Sequence, residues 1–191
     1  MPMQKAMNSD PLYVRYKDKR YDINTDYKVA LKCIQIGNDR SLSETERVLA
    51  IEYKLFGVLS RDPQEVRYLW DKAELYLRCG EPKREHEDRT PDMDFDQDYN
   101  YIEASFQSDY GIDLSRETMS WYRFYRLLNG MTNKAILSRV REIRTYDLSD
   151  IKDPKQRAKM AKAKEDLALI PPNQFTDEEA AAIDAFDAMF E

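Results

Sequence analysis

The chain has 191 residues with 36 acidic and 30 basic side chains, a formal net charge of −6 and only five glycines. That length suits one core-forming domain, and the negative balance argues against general nucleic-acid affinity. Two cysteines, Cys33 and Cys79, match no metal or redox spacing and read as free thiols of a reducing cytosol. The start, MPMQKAMNSD, lacks the apolar run of a signal peptide, and no stretch is long and apolar enough to span a bilayer, so a soluble cytoplasmic protein is expected.

In chain order, residues 1–11 read as a mobile leader. Leu12 to Ile23 reads as a β-hairpin: Tyr13, Val14, Tyr16, Tyr21 and Ile23 favour strand, with Lys17-Asp18-Lys19-Arg20 as the polar turn. Asn24-Thr25-Asp26 opens a first helix with Tyr27, Ala30, Leu31 and Ile34 as its stripe and Gly37 as its stop. Ser43-Glu44-Thr45-Glu46 is a capping box for a second helix, striped by Val48, Ile51 and Leu55 and ended by Gly57. Asp62-Pro63-Gln64-Glu65 opens a third: an Asp cap, proline at the first helical position and Glu three residues after the cap. Val66, Leu69, Trp70, Ala73 and Tyr76 face inward, and Gly80 stops it.

Residues 81–92, EPKREHEDRTPD, are polar with two prolines and read as an exposed, mobile loop inserted in one helical domain spanning 12–170. Beyond it lies the most aromatic stretch, Asp94 to Gly130. Tyr99, Ile102, Phe106 and Tyr110 stripe one helix, Gly111 supplies a left-handed cap and Ile112 its apolar contact. Ser115 then caps a second helix, with Leu114 and Met119 as a staple and Trp121, Phe124, Tyr125 and Leu128 inward. These rings read as a helix-hairpin core. Thr132 caps the next helix, striped by Ile136, Val140 and Ile143, with Arg139, Arg141 and Arg144 largely off the stripe. Asp153-Pro154 starts a helix of thin apolar content, a surface or projecting element. Pro171-Pro172 ends it, and 171–191 forms an acidic amphipathic tail whose helix carries Ile183, Phe186, Met189 and Phe190 on one side. The fold class is therefore mainly α: about seven helices with a short N-terminal β-hairpin.

Charge is blocked along the chain: +2 over residues 1–80, −8 over 81–113, +8 over 115–164 and −8 over 165–191. Such blocks are either solvated faces or contacts between opposite signs, within one chain or between copies. Chemistry has few footholds. The single histidine, His86, lies in the polar loop, and no glycine-rich phosphate cradle exists, so no catalytic residue and no cofactor is assigned. Asp94, Asp96 and Asp98 resemble the start of a calcium loop, but Tyr99 stands where glycine belongs and Ser105 where glutamate belongs. Helix N-terminal charge accounts for them better, and no metal site is assigned. The lysines of 152–164 have the charge to follow a phosphate backbone, yet few aromatics accompany them and the acidic tail begins at Glu165. The tail's apolar side, Ile183, Phe186, Met189 and Phe190, fits either a groove on a partner or the chain's own domain, and is the expected partner-binding surface.

Several segments, in order, resemble one family. YDINTDYKVAL resembles its hairpin-to-helix opening, FDQDYNYIEASFQSDYGIDL its acidic-aromatic signature, MSWYRFYRLLNGM its Trp-aromatic helix, and IKDPKQRAKMAKAKEDLAL its charged closing helix. Together, from Leu12 to Leu169, they resemble the gene-product-fifteen family of siphophages that infect Gram-positive bacteria. The resemblance implies a non-enzymatic tail assembly chaperone that binds the tape-measure protein in the host cytoplasm and is shed before the virion matures. It further implies a second tail assembly chaperone or self-association among the partners. The competing expectations are a structural tail or connector component and, behind it, a nucleic-acid-associated phage protein. The tail after Pro172 and the loop 81–92 have no counterpart in the resemblance.

Overall fold

A computed structural model describes residues 10–81 and 91–170. Among them are seven α-helices and one two-stranded antiparallel sheet, so the chain is mainly α with an N-terminal hairpin. The loop core 82–90, residues 1–9 of the leader and the whole of 171–191 lie outside the described residues. The chain divides into two compact units, one ending at Tyr146 and one beginning at Asp147.

The hairpin pairs β1 (Tyr13–Tyr16) with β2 (Lys19–Asp22), Val14 opposite Tyr21 and Tyr16 opposite Lys19. Only Lys17 and Asp18 form the turn, so Lys19 and Arg20 belong to β2 rather than to the loop. With no glycine available, Lys17 itself takes the left-handed conformation, φ 51°. One face of the ribbon is held by the third helix: Tyr16 packs on Tyr68 at 5.0 Å between centroids, and the Tyr68 hydroxyl donates to the Arg15 carbonyl at 2.7 Å.

Helix α1 (Tyr27–Asn38) is capped by Asp26, whose carboxylate accepts the Lys28 N–H. It runs through Gly37, which is helical and does not stop it; Ile51 lies 3.8 Å from where a Cβ would stand there. Helix α2 (Glu44–Phe56) has both bonds of the Ser43–Glu46 capping box and ends at Gly57 in the left-handed region, φ 70°. Helix α3 (Pro63–Leu77) starts on the Asp62 cap with Pro63 in the first turn. Helix α4 (Tyr99–Tyr110) ends at Gly111, φ 67°, where the Ile112 N–H reaches back to the Phe106 carbonyl, closing the cap expected for that glycine.

Helix α5 (Trp121–Asn129) begins later than its sequence suggests. Asp113 accepts the Ser115 N–H and hydroxyl, which uses Ser115 in a single turn, and Ser120 becomes the cap, accepting from the Arg123 N–H. Leu114 and Met119 are buried, but as core residues rather than as a staple. The late start allows Ser120 to bridge Asp26 across the fold: Trp121 N–H donates to Thr25 and Tyr27 N–H to Met119. Phe124 then sits between Tyr27 at 4.7 Å and Phe106 at 5.0 Å, with Trp121 at 5.7 Å. These rings, with Leu55, Leu69 and Ile102, make one continuous core.

Helix α6 (Ile136–Thr145) is entered through a turn at Thr132 and has Ala135 at its cap position. Its inward residues are Leu137 and Val140; Ile136, expected on the stripe, is 39% exposed. The register is set by α4, because the Ser105 hydroxyl accepts the free Leu137 N–H at 3.0 Å. In the second unit a short 3-10 turn (Leu148–Asp150) precedes α7 (Pro154–Asp166), which is capped by Asp153 and buries none of its side chains.

Candidate functional site

Three features of the described residues depart from an ordinary helical core: two buried carboxylates handled in opposite ways, an acidic corner held by arginine, and a cleft beside α3 and α5.

Glu65 stands at the capping-box position of α3, yet its side chain does not return to the cap. It turns inward, 4% exposed as a residue, and accepts from the Tyr21 hydroxyl, the Ser60 hydroxyl and the Lys19 ammonium, the last at 2.9 Å. These donors hold its carboxyl far below the usual range, at about 2. A folded value below the ordinary 4.5 means that this stabilisation is present above pH 4.5 and is lost as pH falls through about 2. Ser60→Ala or Tyr21→Phe is expected to move the Glu65 midpoint upward in a carboxyl NMR titration, and an unmoved midpoint in both variants would refute the role given to these hydroxyls. Glu52, on α2, has the opposite fate. It is fully buried and neither carboxylate oxygen has a hydrogen-bond partner. Burial first, and then the Glu65 charge, pushes its carboxyl up to about 7.

The aspartates before α4 are engaged one by one. Asp94 accepts the N–H groups of Asp96 and Gln97, Asp96 accepts from the Gln35 amide, and Asp98 takes a different course. Asp98 occupies the cap position of α4 but makes no cap bond. Its two oxygens instead accept from both terminal nitrogens of Arg144, at 2.6 and 2.8 Å. The Asp98 side chain is 1% exposed and that of Arg144 10%. Helix N-terminal charge is therefore not what fixes Asp98, and Arg144 is not a residue of the outer face: it is the buried partner. Arg141 adds a second pair with Asp92 at 2.9 Å. This corner fixes the end of the polar stretch to α6 and is structural.

The cleft, about 1060 Å³, is walled by Val14, Ile23, Leu75, Tyr76, Tyr122 and Tyr125 among others. The Tyr76 hydroxyl is buried without a hydrogen-bond partner, as is one oxygen of Asp10, which Arg126 approaches to 3.5 Å. Burial pushes the Tyr122 phenol and the Cys79 thiol each up to about 12, so neither is an activated group. Cys33 is likewise buried, its thiol pushed up to about 11. What the cleft offers chemically is aromatic and aliphatic surface together with the charged side chains of Lys72, Glu81 and Arg126.

The expected contact residues Ile183, Phe186, Met189 and Phe190 lie outside the described residues, as does His86. No helix among the described residues is long and apolar enough to cross a membrane. Sequence reasoning gave Glu65 a capping role and set Arg144 off the apolar stripe, and it did not single out Glu52. The one available signal for Glu52 was position, since it directly follows Ile51 and precedes Leu55 by three on the stripe of α2.

No curated protein and no solved structure matches the chain. A family described as Bacteriophage Gp15 protein matches residues 8–169, which takes in the hairpin, all seven helices and nearly all of the described residues. The chain belongs to the Bacteriophage Gp15 protein family and is a phage structural or assembly-related protein.

Proposed function

We propose that this protein is a tail assembly chaperone that binds the tape-measure protein while the long tail of a siphophage is built, and that it does so without enzymatic activity. The family match over residues 8–169 carries this reading. A helical body with alternating charge blocks suits a binder of long helical segments, which present repeating apolar and charged faces. The contact surface in this proposal is the apolar side of the terminal segment, Ile183, Phe186, Met189 and Phe190. A second chaperone or further copies of the chain complete the coat, which acts in the host cytoplasm and is absent from the mature virion.

The test is co-expression with the tape-measure protein, followed by pull-down and a solubility assay, comparing the full chain with one ending at Pro172. The full chain is expected to bind and keep the tape measure soluble, and the shortened chain to lose both. Failure of the full chain, even with the neighbouring gene product present, would overturn the chaperone. Stoichiometric copies in purified particles would favour a structural tail or connector component instead.

A further inference from the structure

Helix α7 carries five basic side chains, and they are not equivalent. Arg157 donates twice to the Ile151 carbonyl, at 2.9 and 2.7 Å, and the charge of Lys164 acts on Asp147. Both therefore face the turn that precedes the helix. Lys155, Lys159 and Lys162 recur at i, i+4 and i+7, on the opposite side of the helix from Arg157 and Lys164. All three are exposed, and none has an ion-pair partner among the described residues. A helix with no fully buried side chain that concentrates unpaired charge along one line has, among the described residues, a face without a partner.

The sequence holds a matching line. Residues 171–191 contain six acidic side chains and no basic one. Asp177, Asp184 and Glu191 recur at steps of seven, opposite in helical register to Ile183, Phe186 and Phe190. Lys155 and Lys162 are also seven apart. In an antiparallel arrangement Lys162 would meet Asp177 and Lys155 would meet Asp184, with the lysine stems lying over alanines of both segments. Pro171 and Pro172 supply the break that a reversal needs. The short connection places the acidic segment at an effective concentration in the millimolar range, which lets weak exposed pairs act together.

We propose that the Lys155, Lys159 and Lys162 face of α7 is the docking surface for the acidic segment 171–191 of the same chain, and that this contact shields the lysines from nucleic-acid phosphates. The pairing neutralises the one continuous basic line of the second unit and turns the apolar residues of the segment outward. It is a contact of this chain with itself and stands whether or not the tape measure is the partner.

Zero-length carbodiimide cross-linking of a mixture of unlabelled and nitrogen-15-labelled full chain tests the docking. At low salt, links from the three lysines to Asp177 or Asp184 are expected within single-label molecules. Their yield should fall about tenfold in high salt, where exposed charges are screened. Absence of the links at low salt, or links that join the two labels, would overturn docking within one chain. The shielding is tested on a full chain with Asp177→Asn, Asp184→Asn and Glu191→Gln. It is expected to bind a fluorescent single-stranded oligonucleotide about tenfold more tightly than the parent at low salt, with a steep salt dependence. Equal affinity of the two chains, with helix content matched by circular dichroism, would overturn it.

Discussion

Replacing Arg144 with methionine will lower the stability of the unit that ends at Tyr146 by about 3–5 kcal/mol. Methionine has a comparable apolar stem, so the change acts on the charge and its hydrogen bonds. It leaves Asp98, with a side chain 1% exposed, as a buried carboxylate without its cation, and removes a donor to the Asp92 carbonyl. The neighbouring Arg141 is committed to Asp92 and cannot replace the two-pronged grip. Adding Asp98→Asn to the same chain should recover most of the loss, because no charge is then stranded and an amide oxygen still accepts the Asp94 N–H. Urea denaturation of the two single variants and the double variant gives the coupling directly. A loss below about 1 kcal/mol for Arg144→Met would mean that the pair behaves as an exposed one, and the structural role assigned to it would be wrong.

The second large effect has the opposite sign. Glu52→Met should stabilise the same unit by up to about 3 kcal/mol more at pH 8 than at pH 4. The Glu52 carboxyl is pushed from its ordinary 4.5 up to about 7. Between those values the folded chain keeps a proton that the unfolded chain releases, so stability falls as pH rises through the window. Below about 4.5 both states are protonated and there is no ionisation penalty, only the smaller cost of a neutral carboxyl without partners; above about 7 the folded state holds an ionised, unpartnered carboxylate and the penalty is complete. Methionine fills a similar volume with no charge to bury. Unfolding midpoints of parent and variant at several pH values decide the matter. A gain of the same size at pH 4 and pH 8 would assign the effect to packing and remove ionisation from the account.

The local punctuation of the fold was legible because it is local chemistry. The Ser43–Glu46 box, the Asp62-Pro63 start and the left-handed Gly57 and Gly111 depend on residues within a turn of one another, and the structure has all of them. Ser115 reads as the cap from its neighbours alone, but Ser120 takes that place, and the contact that goes with it is distant: Ser120 bridges Asp26. Ile136 and Leu137 were equally apolar, and Ser105 on another helix decided which faced inward. Glu65 and Arg144 escaped for the same reason. Charged residues read as surface until a partner is in place, and theirs come from 46 residues away: Lys19 for the one, Asp98 for the other. The proposed contact face was legible only as amphipathic spacing, since apolar periodicity names a side of a helix and not what lies against it.

The bridge between Asp26 and Ser120 also orders events during synthesis. The Tyr27 phenol donates to Leu114, 87 residues further along, and the backbone at the start of α1 is completed by Met119 and Trp121. A nascent chain that has emerged only through α3 therefore has its first helix without the strands of contact that finish it, and the Tyr27, Ala30 and Cys33 face has no α5 to cover it. Closing so distant a contact carries the entropy of a long loop and comes late. A nascent chain that ends before α5 is thus an open hairpin-and-helix platform, and its first helix is completed only when the Trp121 helix arrives from the ribosome.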